Sequence, residues 1–259
     1  MHARSSLWPL ARSFVLVAAA ALGLAACGTG ISNLERPRQD NHHFTGPHPE
    51  DFQIHGIDVS KYQGDIDWDA VRRSGVQFAW IKATEGGDHI DSKFRQNWEN
   101  ARAAGVPRGA YHFVFWCRPP HEEIGWFKQN VPVDPDALPP VLDVEATPTS
   151  KTCKRKLYRE EVVREMREML QDMERHYGKR PVIYSTVDFY QSILHPSELD
   201  DYPIWVRSTK YPPHVPYAQR KWTFWQYQSD GTVPGIRGKV DRNAFYGNAA
   251  QWQQFLRGR

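Results

Sequence analysis

Short apolar runs alternate with amphipathic stretches through the first two thirds of this chain, and that alternation restricts the fold more than any other feature. Strand candidates at 54–59, 77–83, 109–115 and 141–146 are interleaved with helix candidates at 68–73, 93–104, 121–129 and 157–177. The last helix is the clearest. Val162, Val163, Met166, Met169, Leu170 and Met173 recur at helical spacing on one stripe, charged residues fill the rest, and Gly178 stops it, so these methionines belong to a core. Four further strand candidates, 181–185, 203–207, 222–228 and 239–245, follow with Pro- and Gly-rich connections and little helix. Parallel strands joined through helices cross right-handed and place the helices outside, so the repeated unit predicts an α/β fold, a TIM-like barrel whose second half is irregular.

The 259 residues, 40% of them hydrophobic, suffice for one such barrel, and no second linker interrupts 54–259. The N-terminus has a different character. Arg4 and Arg12 precede an apolar run, 14–26, that is short for a membrane span and matches the core of an export signal. It ends in Leu24-Ala25-Ala26-Cys27, which resembles the bacterial lipobox. The expectation is a lipoprotein signal peptide over 1–26, a lipid on Cys27 that anchors the protein to a membrane of the bacterial envelope (periplasm or outer membrane), and a polar tether over 27–53. An ordinary secreted protein with a chance cysteine is the alternative. His42, His43 and His48 lie in the tether with no element to fix their geometry, and are assigned to linker. Acylation of Cys27 leaves Cys117 and Cys153 as a pair in an oxidising compartment, which favours a disulfide over two free thiols. A net charge of +3 suits an anionic polymer such as cell wall but is too small to indicate nucleic acid. Nothing in the sequence demands more than a monomer.

Chemistry concentrates at Pro139-Pro140-Val141-Leu142-Asp143-Val144-Glu145-Ala146. Strand alternation sends Asp143 and Glu145 to one side and Leu142 and Val144 to the other, with the acids' Cα atoms about 6.6 Å apart. On a barrel strand the acids then point inward near the C-terminal mouth. Asp58, between Ile57 and Val59, and Asp241, after Val240, repeat the arrangement on the first and last strands, which are neighbours in a closed barrel. Four carboxylates thus converge on one cleft. Paired acids suit glycoside hydrolysis, and aromatic residues at 13% of the chain provide flat faces for sugar rings. Taken alone, these eight residues also fit an edge strand with solvated acids.

Six motifs in order carry a family resemblance. They are His55-Gly56-Ile57-Asp58-Val59-Ser60-Lys61-Tyr62-Gln63-Gly64 with Asp67-Trp68, Lys82-Ala83-Thr84-Glu85-Gly86, Gly109-Ala110-Tyr111-His112-Phe113, Leu142-Asp143-Val144-Glu145, Trp225-Gln226-Tyr227, and Val240-Asp241-Arg242-Asn243. Together they resemble glycoside hydrolase family 25, the Chalaropsis-type lysozymes. The resemblance implies an irregular barrel of about five βα units and three further strands. It also implies an N-acetylmuramidase that cleaves the β-1,4 bond between N-acetylmuramic acid and N-acetylglucosamine in peptidoglycan, without cofactor or metal. By position, Glu145 matches the general acid/base and Asp143 the acid that orients the substrate's 2-acetamido group. Asp58 and Asp241 match the other cleft acids, and Tyr62, Tyr111, Trp225 and Tyr227 fall on sugar-contacting aromatic positions. Arg207 departs from the pattern, standing where a small residue is expected, which bears on substrate fit. Two rival readings are a non-catalytic wall-binding module on the same fold and a metal-dependent hydrolase using His55, Asp58, His112, Asp143 and Glu145. Against the second, His55 and Asp58 lie three apart on a strand and face opposite ways.

Overall fold

The computed structural model describes residues 46–147, 150–194, 199–218 and 220–258. The expected signal peptide, Cys27 and the tether as far as residue 45 lie outside the described residues. In chain order the elements are β1 (His55–Val59), α1 (Trp68–Arg73), β2 (Phe78–Glu85), β3 (His89–Ile90), α2 (Phe94–Ala103), β4 (Arg108–Phe113), α3 (Pro120–Asn130), β5 (Val141–Val144) and α4 (Arg159–Tyr177). There follow β6 (Val182–Ser185), the one-turn α5 (Val187–Phe189), β7 (Ile204–Arg207), β8 (Phe224–Gly231), β9 (Val240–Phe245) and α6 (Ala249–Leu256).

Eight of the nine strands among the described residues close into a barrel. The order β1-β2-β4-β5-β6-β7-β8 is parallel throughout, and β9 returns antiparallel between β8 and β1, while β3 forms a hairpin on the edge of β2. This is the irregular TIM-like barrel expected from the sequence, with β1, β2, β4, β5 and β6 each followed by a helix and β7, β8 and β9 completing the ring. Helix starts follow local chemistry. The Asp67 carboxylate accepts from the Ala70 N–H at 2.9 Å to open α1, and Asn248 and Gln251 cap α6 reciprocally at 3.0 and 2.9 Å. Helix α4 ends at Gly178, whose φ of +65° is the left-handed conformation a helix terminus favours in glycine.

Two apolar layers result from strand alternation. Outside the ring, Leu142, Val144, Ile57 and Ile81 pack with the helices, including the α4 stripe of Val162, Met166, Leu170 and Met173. Inside, Phe78, Trp80, Val141, Val182, Tyr184, Trp205, Phe224, Phe245 and Trp252 form a separate aromatic core. Trp80 and Trp205 stack with centroids 5.8 Å apart. That much aromatic volume needs empty positions opposite it. A Cβ on Gly56 would come within 2.5 Å of the Phe78 ring, and one on Gly109 within 2.1 Å of Trp80.

Residues 46–53, at the end of the expected tether, carry structure of their own. Pro49–Asp51 form a 3-10 turn, the Phe52 ring meets Trp222 edge-on at 5.1 Å, and the Phe52 carbonyl accepts from His55 Nε2 at 2.8 Å. The barrel's packing therefore begins before residue 54, because Phe52 has an aromatic site to fill. Helix α6 and the β3 hairpin were not expected from the sequence.

Candidate active site

At the C-terminal ends of the barrel strands a cleft of about 380 Å³ opens above the aromatic core. Asp58, Asp143, Glu145, Asp241, Tyr62 and Tyr111 all line it, so the four acids and two of the four aromatic candidates come together. Asp58 and Asp241 sit directly opposite one another on β1 and β9. Asp58 is almost buried and its Oδ2 accepts from Asn243 Nδ2 at 2.8 Å and Gln226 Nε2 at 3.0 Å. Those two amides are themselves fixed. Trp205 Nε1 donates to Asn243 Oδ1 at 2.8 Å, and the Tyr184 hydroxyl donates to Gln226 Oε1 at 3.0 Å. With both amide oxygens occupied by donors, the amide N–H groups must face Asp58, which favours its ionised form within the Asp58–Asp241 pair.

The acids differ in surroundings. Burial, then the charge of Asp58 and a hydrogen bond with it, pushes Asp241 up to about 8. Burial raises Asp58 too, opposed by its amide donors. Asp143 is 6% exposed, and burial followed by the neighbouring Glu145 charge holds its carboxyl well above the usual range. Its Oδ1 is buried with no hydrogen-bond partner. Glu145 lies just past the end of β5, its backbone carbonyl accepting from Trp116 Nε1 at 2.8 Å. Burial raises Glu145 as well, with Arg207 and Lys82 pulling the other way. Cleft and core are continuous, and the aromatic floor beneath the acids supplies the desolvation.

Tyr62 stands 81% exposed at the rim, on a 3-10 turn, Lys61–Gln63, braced by the Ser60 N–H donating to Gln63 Oε1 at 2.9 Å and the Lys61 N–H donating to Asp91 Oδ2 at 2.9 Å. Tyr111 points inward from β4, its hydroxyl proton held tightly by burial and by the nearby Asp58 and Asp143 charges.

Trp225 and Tyr227 are not among the residues that line the cleft. Alternation along β8 turns Phe224 and Gln226 inward and sends Trp225 and Tyr227 to the outer face. There Trp225 Nε1 donates to the Ser208 carbonyl at 2.8 Å, and the Tyr227 hydroxyl donates to His55 Nδ1 at 3.2 Å. His55 is thus occupied on both ring nitrogens away from the cleft. His112 also faces outward, its Nδ1 hydrogen-bonded with the Thr84 hydroxyl at 2.7 Å and its Nε2 with Glu123 Oε2 at 2.7 Å. Neither histidine joins the acids, which removes the ligand set of the metal-hydrolase reading, and among the described residues no three His, Cys, Asp or Glu side chains gather as a metal site. Cys117 and Cys153 are joined in a disulfide, Cα atoms 5.6 Å apart, linking the loops that follow β4 and β5.

Sequence reasoning assigned no part to Lys82, Phe113, Tyr184, Trp205, Gln226 or Asn243, all of which line the cleft or hold its acids. Gln226 carried a signal: a polar residue between aromatic strand neighbours marks the inward face near the mouth.

The profile of glycosyl hydrolases family 25 matches residues 57–236. The chain belongs to this family. Among family 25 structures, a glycosyl hydrolase from Bacillus anthracis superposes with a TM-score of 0.74 at 37% identity, covering 84% of this chain and 99% of that one. The lysozyme from Streptomyces coelicolor gives a TM-score of 0.71 at 34% identity over 79% of this chain and 97% of its own. In sequence, Lysozyme M1 from Streptomyces globisporus is 37% identical over 217 residues, 76% of this chain and 69% of that protein. Membership of family 25 makes this chain a glycoside hydrolase.

Proposed function

We propose that this chain is a peptidoglycan hydrolase, an N-acetylmuramidase that cleaves the β-1,4 bond between N-acetylmuramic acid and N-acetylglucosamine, with Glu145 as general acid/base and Asp143 acting through the substrate's acetamido group. The observation that carries the reading is the Asp143–Glu145 pair: two acids on one face of the barrel mouth, both kept above ordinary carboxylate pKa values by burial, with Asp143 Oδ1 buried and unpartnered. The family relatives named lysozymes support the substrate.

Chemically, Glu145 holds a proton at the pH where a free glutamate has lost it, and delivers it to the glycosidic oxygen as the C1–O bond breaks. The acetamido carbonyl oxygen attacks C1 from the opposite side, giving a cyclic oxazolinium intermediate. As charge develops there, the acetamido N–H donates to the vacant Oδ1 of Asp143, and an N–H donor favours the ionised carboxylate. Water then opens the ring at C1, giving its proton to Glu145. Asp58 and Asp241 share one proton beneath the sugar, and Tyr62 and Tyr111 offer ring faces to it.

The lipobox-like Leu24-Ala25-Ala26-Cys27 supports a lipid anchor in the bacterial envelope, and the disulfide suits an oxidising compartment.

Digestion of purified peptidoglycan, reduction of the fragments with borohydride and mass spectrometry tests the assignment. Muramitol ends are expected, and Glu145→Gln should lower turnover by about 10³-fold or more while the fold persists. Glucosaminitol ends would move the scissile bond. Binding without cleavage by the wild-type protein would convert the reading to a wall-binding module.

A further inference from the structure

Among the side chains lining the cleft, two are cations, Lys82 and Arg207, and they are placed differently. Lys82 Nζ is engaged by Glu85 Oε2 at 2.8 Å and lies over the Phe113 ring at 4.8 Å. The Arg207 guanidinium has no hydrogen bond or ion pair with any described residue, although four acids line the same cleft. It is near enough for its charge to act on Glu145 and Asp241. Two of the four acids are otherwise engaged, Asp58 by Asn243 and Gln226 and Asp241 by Asp58.

The position is fixed by the barrel. Arg207 follows Trp205 on the inward face of β7, pairs in register with Gln226, and its carbonyl accepts from the Tyr217 hydroxyl at 2.8 Å. The backbone is thus pinned, and a half-buried planar fork of five N–H donors is left facing the cleft. Water satisfies such a fork poorly once a polymer fills the cleft. A bidentate carboxylate matches it in charge and in geometry.

We propose that Arg207 is a specificity-determining residue that binds a carboxylate carried by the muramic acid unit of the substrate. The inference rests on the peptidoglycan reading above and deepens it. Two sources offer that chemistry: the lactyl carboxylate of a muramic acid stripped of peptide, and a carboxylate of the attached stem peptide.

The test uses peptidoglycan with its stems, peptidoglycan stripped of stems by an amidase, and each of these with carboxylates converted to amides. Wild-type kcat/KM should be about tenfold higher on a free-carboxylate form than on its amidated counterpart, Arg207→Ala should bring that ratio close to one, and Arg207→Lys should keep part of it. A preference seen in the stem-bearing pair assigns the stem carboxylate; one seen in the stripped pair assigns the lactyl group. Equal wild-type rates on free and amidated forms, or a preference that survives Arg207→Ala, would overturn the inference and leave the hydrolase reading standing. Should Arg207→Ala not fold, the wild-type ratio alone decides. Cleavage of none of the four forms would sink the hydrolase reading and the inference with it.

Discussion

The proton between Asp58 and Asp241 has a consequence for stability. Asp241 titrates near 8 in the folded protein against an ordinary value of 3.8. The native state therefore binds more protons than the unfolded state across that window, and stability falls as pH rises through it, the whole contribution being present only below the unfolded value. Asp241→Asn removes the titration while keeping an N–H to donate to Asp58. Melting temperatures at pH about 5 and about 9 should show the variant gaining on wild type at the alkaline pH and gaining little at the acidic one. An equal shift at both would mean that the carboxyl is not held protonated by its setting. The cost is intelligible as function: burying acids over Trp205 and Tyr184 strains the native state and keeps protons where the chemistry uses them.

At the level of elements, the disulfide and the Trp116 hydrogen bond brace the same region. Cys117 and Cys153 lie in the loops after β4 and β5, and Trp116, next to Cys117, holds the Glu145 carbonyl. The bridge spans a sequence separation of 36 residues, for which loop-closure entropy gives about 4 kcal/mol. Urea unfolding of the Cys117→Ser, Cys153→Ser double variant should show a loss of that order; a loss under about 1 kcal/mol would mean that the unfolded chain is little constrained by the bridge. The same elements show what the sequence made legible. Asp143 and Glu145 were placed correctly because Leu142 and Val144 are apolar and the acids are not, so period two is visible. Strand β8 hides its period, since Phe224, Trp225 and Tyr227 are all aromatic and both faces are buried. Motif membership therefore put Trp225 and Tyr227 in the cleft, where they do not lie. Asn243 and Gln226 went unassigned because their role depends on side chains nearly 170 or more residues away, at Asp58. Helix α6 did carry a local signal, Asn248 three before Gln251, but its apolar stripe is only eight residues long.

The whole molecule divides stability and chemistry between the two ends of one barrel. At the closed end, Trp252 of α6 plugs the ring, its centroid 5.3 Å from Phe78, 5.1 Å from Phe245 and 5.8 Å from Phe255 in a stacked pair. At the open end lie the acids, with the Trp80–Trp205 stack between. Because β9 runs antiparallel, the strand that brings Phe245 to the floor also brings Asp241 to the mouth, directly opposite Asp58. One strand thus serves both ends, and the interior column must transmit little for the division to hold. Trp252→Ala tests this. Deleting a buried indole that is 4% exposed should cost about 3–5 kcal/mol in urea unfolding. Measured well below the variant's melting temperature, kcat/KM on peptidoglycan should stay within about twofold of wild type, since no polar group at the mouth loses a partner. A larger fall in kcat with the secondary structure intact would show that the aromatic column sets the positions of the acids, and the two ends would then have to be treated as one cooperative unit.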